Sequence, residues 1–512
     1  MLSKLTQVPG WKLLLAAAMV KLLIHFTMTL ALPEPYGMFR DEYYYIACAD
    51  HLDWGYVDHP PLCALLLAPV RMLGGESLFA LRLLPAIFGA AVVFLAGWIT
   101  AELGGKRFAQ WLAVTATIAL PSHLAIHTFY SMNPIDHFFW ALAFLLIIKL
   151  IQNPAPSLWI ALGVALGLGL QNKISVLFLG FGFAVGILLT PQRKWLLDKW
   201  LWICGAISML IFLPHIIWQV AHGWPTLEFI HNASQYKNTP LSPLEFLKEI
   251  MLHANPFALP IWTAGLIWLL LFRDGAAYRL LGWLFVAVIA VFLIQNAKPY
   301  YLAPAYPLVM AAGAVCWEKW LSGRLAFAKP ILLGVIIVGG VVVAPIVLPV
   351  LSPAASIQYS EALGIRPSSG EKSDSGALPQ LFADMIGWED MARQLSEAVQ
   401  SLPENERANC VLIVSNYGQA GAIDFFRDKY NLPPVLCPHN NYWYWADLDM
   451  DASVYITIIS LEDNQEVFET VEPIGEIERP LSMPYENNRA IYRCADPKTP
   501  IKDLWRDAKK FI

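Results

Sequence analysis

Charge is scarce in this 512-residue chain. Only 15% of its residues are charged, against about 25% in an ordinary soluble domain. With 57% hydrophobic residues and a mean hydropathy of +0.49, the scarcity excludes a purely soluble protein and indicates a membrane protein. A net charge of −5 lacks the basic footprint of a nucleic-acid binder. The seven cysteines include no CxxC and no Cys/His pair at zinc spacing. NYGQAG (416–421) does not have the glycine spacing of a GxGxxG dinucleotide loop. No internal repeat of the kind that builds many transporters is visible. No short apolar region with a small-residue cleavage site precedes the first apolar run, which is therefore read as an uncleaved helix.

The apolar residues fill roughly the first 350 positions. A helix needs about 20 apolar residues to cross a bilayer, and about eleven stretches qualify: 11–32, 78–100, 107–125, 134–151, 156–171, 174–190, 197–220, 251–272, 279–296, 300–320 and 329–351. With Lys4 and Lys12 on the cytoplasmic side, the cytoplasmic connections carry Lys106, Arg107, Lys149, Arg193, Lys194, Lys199, Arg273, Arg279, Lys319, Arg324 and Lys329. All are short and basic, as the positive-inside rule requires. The longer, more acidic loops 33–77 and 221–250 fall outside, with the tail from 352. The expected organisation is a polytopic α-helical transmembrane domain (1–351), a linker (352–370) and a periplasmic α/β domain (371–512), in the inner membrane of a bacterium.

This topology gathers the ionisable residues that lack a structural excuse on the outer face. Such groups at membrane depth are costly and line cavities or face one another. Asp41-Glu42 opens FRDEYYYIACADHLDWGYVDHPPL (39–62). A carboxylate there can serve as a general base; the bland alternative is an acidic first turn of a solvated helix. The apolar and aromatic residues that follow favour a short helix lying in the interface, its start facing a site. Asp58 and His59 stand before Pro60-Pro61, on a rigid segment. Cys48 and Cys63 share this loop and could pair in an oxidising compartment or remain buried thiols. Lys173, between two apolar segments, either snorkels to the headgroups or neutralises a phosphate as a compact charge. Lys298 precedes Pro299, where a helix is expected to start, a setting that favours an anion; Tyr300 or Tyr301 could add a hydrogen bond, and Lys237 is a third lysine. Carboxylates and lysines on one face imply one substrate that loses a proton and a second that carries phosphate, at the membrane edge a lipid phosphate.

The tail reads as α/β. Strands are expected at 410–416, 432–437, 453–460 and 490–494, with a helix over 417–430. HNNYWYW (439–445) could stack on a sugar, or form a structural loop or a membrane-resting surface.

Four elements in this order carry a resemblance: DEYYYIA with VDHPPL, NPIDHFFWAL (133–142), the lysine of QNKI (171–174) and AKPYYLAPAYP (297–307). Over roughly residues 10–320 the chain resembles glycosyltransferase family 39, the protein O-mannosyltransferases and the lipid A aminoarabinose transferase, with the GT-C membrane fold. The resemblance implies Asp41 as the catalytic carboxylate and Glu42 supporting the acceptor or the geometry. It implies Lys173, Lys298 and Tyr301, with Lys237, at the phosphate of a polyprenyl-phosphate sugar. Transfer would proceed with inversion to a lipid, glycan or protein acceptor among the membrane lipids of the envelope. The family's Asp before Pro in the second outer loop is Asn133 here, with Asp136 three residues on; both are candidate substrate contacts, as are Asp58 and His59. The sequence requires no cofactor, although the two carboxylates with His59 could hold a divalent metal. Two other readings compete: a transporter or flippase of a lipid-linked sugar, and a non-catalytic envelope scaffold.

Overall fold

The computed structural model describes residues 10–366, 370–450 and 452–512. Lys4, used for the orientation, and residues 367–369 of the expected linker lie outside them. Each of the eleven apolar stretches folds as helix. Among the described residues, six single helices are long and apolar enough to span: Trp11–Leu30, Leu78–Glu102, Met132–Gln152, Lys199–Ala221, Ala276–Ile294 and Ala328–Val347. Two bent pairs raise the number to eight, one broken by 108° after Leu188 and one by 92° after His253. Of the remaining stretches, 156–171 is one 17-residue helix that starts at Pro156, 300–320 opens with the short helix Pro299–Ala305, and 107–125 is split before Pro121 into Arg107–Ile118 and Pro121–Ile126, since proline removes a backbone donor and disfavours helix in the residue before it.

Met132–Gln152 runs through the centre of the bundle and is the most buried span. Ala328–Val347 lies at the edge and presents Ile337, Val338 and Val341 outward. Such an apolar belt fits lipid, not water. Between helices with no solvent to expel, contact depends on close packing of small residues. Helices Leu259–Leu271 and Tyr306–Trp320 show this. A Cβ on Gly265 would lie 2.0 Å from the Val309 carbonyl oxygen, and one on Gly313 would lie 1.9 Å from that of Ile261. The two backbones therefore touch through their glycines.

The tail forms a five-stranded sheet of order β2-β1-β3-β5-β4. β1 (Cys410–Ile413), β2 (Val435–Leu436) and β3 (Val454–Thr457) are parallel, and β5 (Arg489–Pro497) runs antiparallel between β3 and β4 (Phe468–Ile477). The helix over 417–430 falls as read, capped by Asn416, whose side chain accepts from the Gly418 and Gln419 amides. β4 was not foreseen. Its charges, Pro473 and the irregular pairing beside it belong to an edge strand and read as loop. The expected linker also contains a helix, Pro353–Ala362.

The first-loop helix, Arg40–Asp50, does not lie open in the interface. It is buried from Glu42 to Ala49, between the bundle and the tail. Gly418 and Gly421 explain how: a Cβ at these positions would meet Arg40 Cγ at 2.3 Å and Tyr43 Cβ at 2.9 Å. The glycines of NYGQAG thus let Tyr417–Tyr430 close onto the first-loop helix. HNNYWYW is structural in the same interface. Trp445 stacks on His51 with ring centroids 4.7 Å apart, and the Asn441 side-chain oxygen accepts from the Val57 amide at 2.7 Å.

Gly313→Ala is expected to lower the apparent melting temperature of the detergent-solubilised protein by several degrees, because its methyl meets backbone that cannot rotate away, a cost of about 1–3 kcal/mol or more. Gly205→Ala, with no atom within 4 Å of the new Cβ, serves as the control and is expected to leave the melting temperature unchanged.

Candidate active site

Glu42 and Asp41 are adjacent and do opposite things. Glu42 is fully buried. Its Oε2 accepts from the Phe39 amide (2.8 Å), closing the first turn of the helix, and its Oε1 accepts from the Tyr130 amide (2.9 Å). Arg82, from the span Leu78–Glu102, donates Nε to Oε1 (3.1 Å) and Nη2 to Oε2 (2.9 Å). Four donors occupy both oxygens, so Glu42 fixes geometry and has no oxygen left for an acceptor. Asp41, rotated by about 100° around the helix, is one-third exposed (33%) and keeps accessible surface. Its Oδ1 accepts from the Tyr417 hydroxyl at 2.9 Å, and Arg40 Nε lies 3.6 Å from the same oxygen.

His59 does not reach Asp41. It is buried with Nδ1 2.8 Å from the Pro60 carbonyl and 3.3 Å from Cys63 Sγ, and Nε2 3.8 Å from Cys48 Sγ. The imidazole packs between two free thiols and against Tyr45 and Tyr56. In this structure it is a buried, packed imidazole. Asp58 accepts from the Tyr44 hydroxyl at 2.8 Å, which ties the VDHPPL segment to the first-loop helix.

Lys173 caps the C-terminal end of Pro156–Asn172, where the helix dipole favours a cation. Its Nζ donates to Asn133 Oδ1 (2.6 Å), lies 3.9 Å from Asp136 Oδ2 and sits 4.9 Å above the Tyr301 ring. Asn133 and Asp136, three residues apart, share one helix face. Asn133 therefore stands at the lysine itself, with Asp136 behind it, held by Ser175 Oγ at 2.7 Å. Tyr300 adjoins Tyr301, ring centroids 4.7 Å apart, and lies within electrostatic reach of Asp41 and of Glu371. Lys298 and Lys237 converge on Glu371: Lys298 Nζ donates to Oε1 at 2.9 Å, and Lys237 Nζ is 3.9 Å from it. Asp41, Lys173, Lys237 and the Lys298–Tyr301 segment thus come from four separate parts of the chain into one neighbourhood.

Asp41, Glu42 and His59 do not form a cation site, since Glu42 is saturated and His59 faces sulfur. Among the described residues, His123, His127 and His137 bring one nitrogen each to within 4.8 Å of one another, all buried. No carboxylate joins them, Lys21 Nζ donates to the His123 carbonyl at 3.2 Å, and the rings pack on one another, His123 against His137 with centroids 4.6 Å apart.

Four contributors escaped the sequence reading. Arg82 had a signal, a lone arginine inside LFALRLLPAIF. Arg40 had a weaker one, next to the acidic pair. Tyr417 and Glu371 had none, because only the fold brings the tail to the first loop. The Glu42–Arg82 pair also makes a prediction. Arg82→Ala is expected to destabilise the protein by about 3–5 kcal/mol by leaving a buried carboxylate unpaired. Thermal unfolding of Arg82→Ala against Glu42→Gln/Arg82→Met checks this, with the double variant expected to be the more stable.

The family described as dolichyl-phosphate-mannose-protein mannosyltransferase matches residues 58–218. The lipid A galacturonosyltransferase RgtD of Rhizobium johnstonii is 25% identical over 297 residues, covering 56% of this chain and 62% of that protein. The chain thus spans less than two thirds of that curated relative. The structure of ArnT from Cupriavidus metallidurans bound to undecaprenyl phosphate superposes with a TM-score of 0.60 at 15% identity, covering 94% of this chain and 98% of that one. Its apo state gives the same score at 16% identity. The likeness to ArnT shows the fold and extends through the tail. On these matches the chain carries the GT-C fold, and its resemblance to glycosyltransferase family 39 stands.

Proposed function

We propose that the chain is an inverting glycosyltransferase that moves a sugar from a polyprenyl-phosphate donor to an envelope acceptor at the periplasmic face of a bacterial inner membrane. The observation that carries this reading is the division of labour in the first loop. One carboxylate, Glu42, is consumed in holding the helix, and its neighbour Asp41 stays accessible in the same neighbourhood as the outer lysines. Lipid A is the acceptor named for the curated relative, and undecaprenyl phosphate is the lipid held by the ArnT neighbour. Both support a lipid-phosphate donor and a lipid or glycan acceptor.

In this mechanism Asp41 takes the proton from an acceptor hydroxyl or amine as its lone pair attacks the anomeric carbon. The bond from that carbon to the phosphate oxygen breaks on the opposite side, which inverts the configuration. The polyprenyl phosphate leaves with the bonding pair, and Lys173, Lys298 and Lys237 neutralise its growing charge. Tyr300 and Tyr301 form the wall between the lysine groups. Tyr417 holds the Asp41 carboxylate in its proton-accepting orientation through a charge-assisted hydrogen bond.

Asp41→Asn is expected to reduce transfer by about 100-fold or more while undecaprenyl phosphate still binds, as read by mass spectrometry of sugar-bearing envelope lipids and by direct binding. Undiminished transfer would contradict the role. Tyr417→Phe is expected to lower kcat about tenfold with the KM for the donor unchanged, in the same assay. A rise in KM alone would instead assign Tyr417 to donor binding.

A further inference from the structure

Glu371 belongs to the C-terminal part of the chain, yet its carboxylate sits on two lysines of the membrane domain. Its backbone forms an antiparallel bridge with Asn238, and the adjacent Lys372 donates its amide to the Lys237 carbonyl at 2.9 Å and its Nζ to the Gln235 carbonyl at 2.6 Å. This pairing aims Glu371 at Lys298 and Lys237, with 14% of its side chain exposed. Gln380 Nε2 reaches the other oxygen at 3.4 Å. Burial alone would push this carboxyl up. Lys237, Lys298 and Arg40 outweigh it and hold the group down at about 2, so it is an anion throughout the physiological range.

The charges around it balance. Three cations, Arg40, Lys237 and Lys298, face three carboxylates, Asp41, Glu371 and Asp384. A phosphate brought to the same lysines would add one or two negative charges to a neutral, largely buried group. Like charges at such range oppose binding strongly, and departure of the Glu371 carboxylate restores the balance. A carboxylate and a phosphate monoester offer a lysine the same partner, an anionic oxygen.

We propose that Glu371 is a placeholder for the donor phosphate: its carboxylate holds Lys237 and Lys298 in position and is displaced when a polyprenyl phosphate binds. The inference rests on the assignment of these lysines to the donor and adds a residue of the C-terminal domain to the donor site. It also gives the exchange a purpose. Two lysines on separate outer loops would repel each other without an anion between them, and Glu371 keeps them together until the phosphate replaces it. Release of the product lipid is then assisted by the returning carboxylate.

The test is the affinity of the full-length protein in detergent for undecaprenyl phosphate, with undecaprenol, which lacks the phosphate, as the control ligand. Glu371→Gln is expected to bind undecaprenyl phosphate about fivefold tighter or more and undecaprenol unchanged. Glu371→Asp, which keeps the charge and shortens its reach, is expected to fall between Glu371→Gln and the unsubstituted protein, and decides the matter should Glu371→Gln fold poorly. Equal or weaker binding of undecaprenyl phosphate by these variants overturns the placeholder, as does an equal gain for undecaprenol. Lys298→Ala and Lys237→Ala separate the two levels. If they weaken phosphate binding while Glu371→Gln does not tighten it, the placeholder fails alone; if they leave binding unchanged, the lysine assignment fails with it.

Discussion

The buried Glu42–Arg82 pair is the constraint on which the site depends. A charge taken out of water is tolerated only when its partner and hydrogen bonds are complete, and Glu42 has all four of its donors. The donors come from the helix's own start, from a transmembrane span and from the loop before the central helix. Replacing the pair with apolar residues could hold these elements as firmly. An ion pair with two-pronged geometry also sets the direction in which the helix enters, and that direction leaves Asp41 facing outward from its fully occupied neighbour.

The second dependence is on the tail. Gly418 and Gly421 bring Tyr417–Tyr430 onto the first-loop helix, and the contact places the Tyr417 hydroxyl on Asp41. Asn441, Trp445 and the aromatic residues around them extend the same contact over the rest of the loop. Glu371 completes the arrangement on the lysine side. The C-terminal domain is therefore a wall of the site.

Much of this was legible in the sequence because it rests on local signals. Apolar runs marked the helical stretches, and Lys298 before Pro299 marked the start of a helix, found as the short turn Pro299–Ala305 that leads into Tyr306–Trp320. Asp41-Glu42 at the start of an aromatic helix was visible, but not which of the two carboxylates was consumed. That depended on Arg82, 40 positions away. His59 was open between a substrate contact and a packing histidine, and the two thiols that flank it come from positions 48 and 63, which its own neighbours in sequence do not reveal. The helix over 417–430 was placed correctly, while the purpose of its glycines emerged only against Tyr43 and Arg40. What could not be read was contact between distant parts of the chain, since neither β4 nor Glu371 leaves a periodic pattern.

The central claim is that a lipid phosphate is handled at the outer lysines opposite Asp41. The most direct measurement is a cryo-electron microscopy structure of the protein with undecaprenyl phosphate. The account predicts the phosphate within hydrogen-bond reach of Lys298 or Lys173, beside Tyr300 and Tyr301, with the Asp41 carboxylate turned toward the space where the sugar would lie. A phosphate bound on the opposite membrane face, or at the lipid-facing rim away from these residues, would contradict it.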